Sequence, residues 1–311
     1  MEYAKILANQ VFIMFLLLAV GYLLFRIKLV SAATNSQLTS IILYVVMPCM
    51  ILSTYQMDYD PDKARNLLWG FLFSTVSLLI AIAISYIVRI KGDPKKIATE
   101  QFCVIFANCG FMAIPLISAL FGQLGVFYCN TYLTMFNIVI WTYGVALMQK
   151  KEKENETVTW KARIKPFITP VMISIVIGIT TYFLQIRFPA PIESAINYIG
   201  SMNTPLAMIV SGIYIAQSDL KKAVMNVRIY GMVLIKCFLI PLVLIGVFRL
   251  IPMDPTLAMV ILIASSCPTA SNSMLFADKY GQDVETASNI FTLTTLLSII
   301  SLPIVILIWN L

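Results

Sequence analysis

Long apolar stretches alternate with short polar connections along almost the whole chain. A helix needs about 20 apolar residues to cross the hydrocarbon core of a bilayer, and ten segments of that kind occur. The predicted spans are residues 6–25, 36–56, 67–88, 98–121, 124–148, 167–187, 192–216, 228–250, 256–277 and 286–310. The pattern therefore predicts an all-α integral membrane protein with ten transmembrane helices.

A single long polar connection divides the chain into two halves of similar length. We predict a first five-helix repeat at residues 1–148, a cytoplasmic connecting loop at 149–165 and a second five-helix repeat at 166–311. Because five is an odd number, the second half starts on the opposite side of the membrane, and the two repeats are inverted. Inverted repeats are typical of secondary transporters.

Prolines support the repeat because they recur at matching places in the two halves. Pro48 and Pro205 lie in the second span of each half, and Pro115 and Pro268 lie in the fourth. Proline removes a backbone donor and clashes with the preceding helical turn. We therefore expect spans 4 and 9 to be broken and to cross each other near the membrane centre.

Composition and charge agree with a membrane protein and give its orientation. The chain is 59% hydrophobic and 12% charged, whereas about 25% of the residues of a soluble domain are charged. Sixteen of the 22 Lys and Arg residues lie in the connections of one side and five lie on the other side. The positive-inside rule then places the richer side in the cytoplasm and both termini outside a cell inner (plasma) membrane. Basic residues spread over short loops argue against nucleic-acid binding.

Histidine is absent from the chain, which removes zinc-hydrolase motifs and histidine-based catalytic couples. The six cysteines all lie in apolar segments without a C-x-x-C pair, so they are interpreted as small buried residues rather than metal ligands. We therefore predict no metal site and no enzyme activity.

Polar residues in the broken spans predict a binding site for an anion. Span 4 carries Asn108, Gly110 and Pro115 in an otherwise apolar helix. The matching residues of span 9 are Pro268, Thr269, Ser271, Asn272 and Ser273. Each break would leave a half-helix whose N-terminus, with unpaired N–H groups and a positive dipole end, attracts an anion. Single residues of these types are common kink and packing residues in membrane helices, but their paired placement favours a functional role.

Lys236 is the one charge that falls well inside a predicted span. A charge at membrane depth is costly and is treated as functional by default. It could attract an anionic substrate or take the place of a coupling cation. The alternative is that its stem extends along the helix to the membrane surface, or that the ammonium group pairs with a polar backbone site.

Two stretches resemble the auxin efflux carrier family, which includes bacterial malonate and malate permeases and the plant auxin exporters. The first is Asn-Cys-Gly-Phe-Met-Ala-Ile-Pro-Leu at 108–116, followed by Ala-Leu-Phe-Gly at 119–122. The second is Pro-Thr-Ala-Ser-Asn-Ser-Met-Leu-Phe-Ala-Asp-Lys-Tyr-Gly at 268–281, before a last span with Pro303. The resemblance extends over the whole chain in length, span number and central polar loop.

This resemblance implies a fold similar to sodium/proton antiporters and bile acid symporters. Spans 1, 2, 6 and 7 would form a scaffold, and spans 3–5 with 8–10 a transport unit that crosses at Pro115 and Pro268. In plant members, the asparagine that matches Asn108 helps to hold the substrate carboxylate. Plant members have an apolar residue at the position of Asn272, so its role is inferred from bacterial relatives. The family also implies a homodimer.

The resulting hypothesis is secondary active transport of a small organic anion by an elevator-type alternating-access mechanism. Malate, malonate and an auxin-like acid all fit, and coupling to H⁺ or Na⁺ is left open. Substrate and membrane lipids are the predicted partners, and no cofactor is expected. A passive anion channel and a sodium-coupled symporter of another organic acid are the alternatives. A channel normally shows a ring of like side chains or a repeated filter, and the sequence shows neither.

Overall fold

The computed structural model describes residues 2–89, 93–149 and 168–309. Within these ranges the regular elements are all helical, and the β-pairing consists of a single isolated bridge. The helices are α1 (Glu2–Arg26), α2 (Ala32–Thr54), α3 (Pro61–Ser85), α4 (Pro94–Ile105), α5 (Cys109–Met148), α6 (Pro170–Leu184), α7 (Ala190–Gln217), α8 (Leu220–Met225), α9 (Val227–Arg249), α10 (Pro255–Ser266), α11 (Asn272–Lys279) and α12 (Val284–Trp309). The connecting loop predicted at 149–165 lies outside the described residues except for Gln149.

Seven of the described helices are long and apolar enough to cross a membrane, namely α1, α2, α3, α5, α7, α9 and α12. The shorter helices α6 and α10 are also apolar. The prediction of an all-helical, multi-pass membrane protein is therefore confirmed. The count of ten spans in two inverted repeats stays a prediction.

Helix α5 is 40 residues long because two helices meet in it at Gly122. Gly122 has φ 59° and ψ −146°, a backbone conformation that glycine adopts readily and other residues avoid. The sequence pattern separates two spans at the same place, since one predicted span ends at residue 121 and the next begins at 124.

Helices α1 and α7 approach each other closely through two glycines. A Cβ atom at Gly21 would lie 2.0 Å from the carbonyl oxygen of Ile209, and one at Gly212 would lie 2.0 Å from that of Leu18. Small residues allow this contact between backbones, which is a common way to associate helices in a membrane. The outer face of α1 exposes large apolar side chains, including Phe12, as expected where a helix contacts lipid.

An ion pair joins the middle of α4 to the start of α9. Arg228 donates to both carboxylate oxygens of Glu100, at 2.6 and 2.7 Å. The Glu100 side chain is 3% exposed, so the paired geometry compensates for the loss of its hydration. The contact fixes α9 beside α4, and α9 carries Lys236 into the centre of the molecule.

Candidate anion site at the helix crossing

Among the described residues, two broken helices cross in the centre of the molecule. Helix α4 ends at Ile105 and α10 ends at Ser266, and an extended segment follows each of them. The backbone N–H of Asn108 donates to the carbonyl of Pro268 at 2.7 Å, and that of Ala270 donates to the carbonyl of Phe106 at 2.9 Å. This short antiparallel pairing satisfies backbone groups that would otherwise be left without partners at membrane depth.

The crossing point differs from the expectation on one side. Ala107 pairs with Thr269 at the bridge, so Pro268 lies at the crossing but Pro115 does not. Pro115 follows the π-helical turn Cys109–Ala113 and stands in the first turn of the regular helix after it. Within α5, which begins at Cys109, a proline removes one helical N–H and crowds the preceding turn, and the wider π turn just before Pro115 accommodates it. The break in span 4 therefore comes from the segment around Asn108 rather than from the proline.

Thr269 holds the crossing together and is fully buried. Its hydroxyl donates to the carbonyl of Cys103 at 2.8 Å, and its N–H donates to the hydroxyl of Thr294 at 3.2 Å. These bonds connect α4, the second break and α12. Because its hydroxyl and its N–H both donate to other groups of the protein, Thr269 stabilises the crossing and has neither donor free for a ligand.

The first turns of α5 and α11 meet at a small cavity of about 60 Å³. The lining residues are Leu43, Met47, Ala107, Asn108, Cys109, Gly110, Phe111, Leu133, Phe136, Asn137, Val171, Ala270, Ser271 and Asn272. Of the residues predicted from the sequence, Asn108, Gly110, Ser271 and Asn272 line the cavity, and Pro115, Pro268, Thr269, Ser273 and Lys236 do not. Residues at both half-helix N-termini thus line one shared space.

Asn108 is the most informative residue of this cavity. It is 4% exposed, and its side-chain Nδ2 has no hydrogen-bond partner among the described residues. An unpaired buried donor is costly unless a ligand or water satisfies it. The first turns of two helices flank the same space, and helix N-termini in general favour negatively charged groups.

Several lining residues belong to other spans, and the sequence analysis missed them. Met47 of α2 packs against Gly110, where a Cβ atom would lie 2.9 Å from the Met47 Cε. Asn137 of α5 also lines the cavity, and its side-chain amide donates to the carbonyl of Leu133 at 2.8 Å. A polar residue inside an apolar span is the same signal that identified Asn108, so Asn137 could have been found. Met47 carried no such signal.

Lys236 lies on the other side of the crossing, where the C-termini of α4 and α10 meet. Its side chain is 1% exposed, and its ammonium nitrogen lies 3.4 Å from the carbonyl oxygen of Ile105 and 3.5 Å from that of Ser265. Lys236 is therefore buried and does not extend to a membrane surface, but it does pair with polar backbone groups, which is the other form of the alternative considered from the sequence.

The helix breaks are what make these two carbonyls available to Lys236. In a continuous helix, Ile105 would accept from the N–H of Cys109, which here donates to Ala107. Ser265 would accept from the N–H of Thr269, which here donates to Thr294. The ammonium group thus lies against two negative helix ends.

A multi-pass helical membrane protein in which two broken helices cross beside a cavity has the features of a membrane transporter. Comparison with known proteins agrees with this class. The family model described as "Membrane transport protein" matches residues 6–306. The chain belongs to this family, the auxin efflux carrier family, and is a transporter rather than an enzyme.

Three relatives match over nearly their whole length. An uncharacterized transporter of Methanocaldococcus jannaschii is 23% identical over 92% of this chain and 94% of its own. A protein of Rhizobium meliloti named "Putative malonate transporter" is 24% identical over 91% of this chain and 89% of its own. An uncharacterized transporter of Methanothermobacter thermautotrophicus is 21% identical over 93% of both chains.

Proposed function

We propose that the protein is a secondary active transporter of a small carboxylate of the malonate type. The observation that carries the proposal is the cavity in which the unpaired amide of Asn108 and two half-helix N-termini converge. A carboxylate supplies the negative charge and the acceptor oxygens that these donors lack. The similarity to a protein named as a malonate transporter supports the same substrate class.

The cavity favours a short carboxylate over a bulky aromatic acid. Its volume of about 60 Å³ leaves little room beyond the two helix ends. Met47, Phe111 and Phe136 close it with apolar surface. A second carboxylate of a short diacid could take hydrogen bonds from Asn272, which is partly exposed at the first turn of α11.

The proposed architecture has ten spans in two inverted repeats. Two of the spans meet at Gly122 within α5. A further span consists of α4 and the first part of α5, which are separated by one break, and another consists of α10 and α11, which are separated by the other break. Helices α1, α2, α6 and α7 would form the scaffold. Helices α3–α5 and α9–α12 would form a transport unit that moves as an elevator between the two sides.

A polar cleft of about 500 Å³ supplies an entrance on the proposed outer side. Gln56, Gln123, Glu193 and Asn203 are among its lining residues. The Asn203 amide donates to the carbonyl of Gly110 at 3.4 Å. This bond between α7 and α5 crosses the proposed boundary of scaffold and transport unit, and it would break during each transport cycle.

Orientation and assembly complete the proposal. The distribution of basic residues supports termini on the outside of a cell inner membrane and the central connection in the cytoplasm. The family supports a homodimer formed through the scaffold.

Counterflow in proteoliposomes tests the proposed function. Vesicles loaded with unlabelled malonate should accumulate radiolabelled malonate transiently, at a rate that saturates with external concentration. A passive channel would give uptake that is neither saturable nor stimulated by malonate inside. Absence of both binding and counterflow for malonate, malate and related short diacids would refute the proposed substrate class.

A further inference from the structure

We propose that Lys236 is a built-in cation that takes the place of a coupling metal ion at the crossing, so that transport does not require sodium. The statement about transport rests on the proposed function. The statement that Lys236 occupies a cation position rests on the structure of the helix crossing alone. It assigns to Lys236 a positioning role in place of the substrate-binding role that the sequence suggested.

The first argument is the identity of the two groups that Lys236 contacts. Ile105 and Ser265 belong to the last turns of α4 and α10, and their carbonyl oxygens have lost their usual helical donors. In transporters with discontinuous helices, unwound carbonyls and half-helix C-terminal ends of this kind coordinate Na⁺ or H⁺. The Lys236 ammonium already supplies the positive charge that such a site would otherwise take from solution.

The second argument is that the charge of Lys236 has no acidic partner within the described residues. Glu100 is the other acidic or basic residue buried among the described residues, and it binds Arg228 through both carboxylate oxygens. The partial negative charge of the helix-end carbonyls therefore compensates the positive charge of the ammonium group, and the reverse also holds. A sodium ion in the same place would meet a positive charge at contact distance and would be repelled.

The third argument is the local shape of α9. Lys236 lies in the π-helical turn Ile235–Leu239, which ends two residues before Pro241. The π turns Ile42–Val46 and Cys109–Ala113 also end two residues before a proline, so the proline accounts for the local widening of the helix. The turn places the Lys236 side chain at the crossing. Leu239, at the end of the same turn, is exposed on the outer face of the helix and does not reach the crossing.

The test is the thermal stability of the purified protein in detergent, measured in sodium, ammonium, potassium and choline chloride. The wild-type protein should have the same melting temperature in all four salts. Lys236→Met keeps most of the stem but ends one atom earlier, which leaves a gap of about the size of an ammonium group between the two carbonyls. We expect its melting temperature in choline to fall by roughly 5 °C or more. Sodium or ammonium should restore part of the loss in a concentration-dependent manner.

Lys222→Met is the matched control. Lys222 is 63% exposed and its ion pair with Glu285 lies at the surface, where such pairs contribute little. This variant removes the same charge and should show neither a large fall nor a response to a particular cation. Lys236→Gln, which is neutral but keeps N–H donors, repeats the comparison should the methionine variant fail to insert.

Three outcomes would overturn the inference. The first is a wild-type protein that melts at a higher temperature in sodium than in choline. The second is a Lys236→Met variant that is as stable as the wild type and does not respond to cations. The third is malonate counterflow that stops when sodium is removed. The thermal measurement uses no substrate, so it separates the two proposals. If the cation pattern holds while malonate neither binds nor moves, only the proposed substrate class fails.

Discussion

The two sides of the helix crossing are built from the same pair of broken helices, yet they differ in charge and in occupancy. On one side the C-termini of α4 and α10 meet at Lys236, which is buried against two carbonyl oxygens. On the other side the N-termini of α5 and α11 face a cavity, and the Asn108 amide lacks a partner among the described residues. The Lys236 ammonium group thus lies at the negative helix ends, whereas the positive ends face a cavity.

This difference follows from helix polarity. A break in a helix exposes acceptors on one side and donors on the other, and both need partners at membrane depth. When two antiparallel broken helices cross, the acceptors of both come together and so do the donors. With Lys236 at the negative ends, the positive ends on the other side form the site that we propose for an anion.

Reversing the charge at the open side should give the largest effect. Asn108→Asp changes the shape very little but introduces a negative charge into the proposed carboxylate site. Repulsion between two charges at about 4 Å is on the order of 4 kcal/mol with an effective dielectric constant of 20, or roughly a thousandfold loss of affinity. Isothermal titration with malonate measures it, and unchanged affinity would place the substrate elsewhere.

Deleting the amide should give a smaller loss. Asn108→Ala removes a charge-assisted hydrogen bond of about 1.5–3 kcal/mol, which corresponds to roughly a tenfold to hundredfold rise in Kd. The stability of the empty protein should change little, because the amide has no partner there to lose. The control is Asn130→Ala, since the Asn130 amide is fully buried but donates to Thr54 at 2.8 Å away from the cavity. It should lower stability and leave affinity unchanged; the opposite pattern would contradict the site.

Narrowing the cavity without touching its charge should cost less still. In Gly110→Ala the new methyl group would lie 2.9 Å from the flexible end of Met47, which can move at the expense of cavity volume. We expect a loss of affinity of about threefold to tenfold, on the order of 1 kcal/mol. The double variant Gly110→Ala with Met47→Ala should recover most of it in the same titration. Lack of any recovery would show that the loss comes from the backbone instead.

The smallest effect is expected at the second half-helix. Asn272 lines the cavity from α11 but is partly exposed, so water can replace its hydrogen bond to substrate. Asn272→Ala should therefore raise the Kd for malonate by about threefold or less. Competition titration against the wild type resolves such a difference. A loss larger than that of Asn108→Ala would reverse the proposed ranking of the two repeats.

Much of the fold and part of the site could be predicted from the sequence. Apolar segments of membrane-spanning length, together with few charges, predict an all-helical membrane protein because a bilayer tolerates little else. Asn108 and Asn272 were identified because polar residues at membrane depth are costly and are kept for a purpose. The change of direction at Gly122 also coincided with a gap between predicted spans.

Tertiary structure alone decided what lies opposite these residues. Met47 and Asn137 join the cavity from other spans, the crossing falls at Ala107 rather than at Pro115, and Lys236 reaches two carbonyls instead of the substrate cavity. Hydrophobicity and breaking residues are properties of a single segment, so they can be read along the chain. The partners of a broken helix depend on how segments more than a hundred residues apart rotate and pack. Only that packing determined which helix ends lie against Lys236 and which face the cavity.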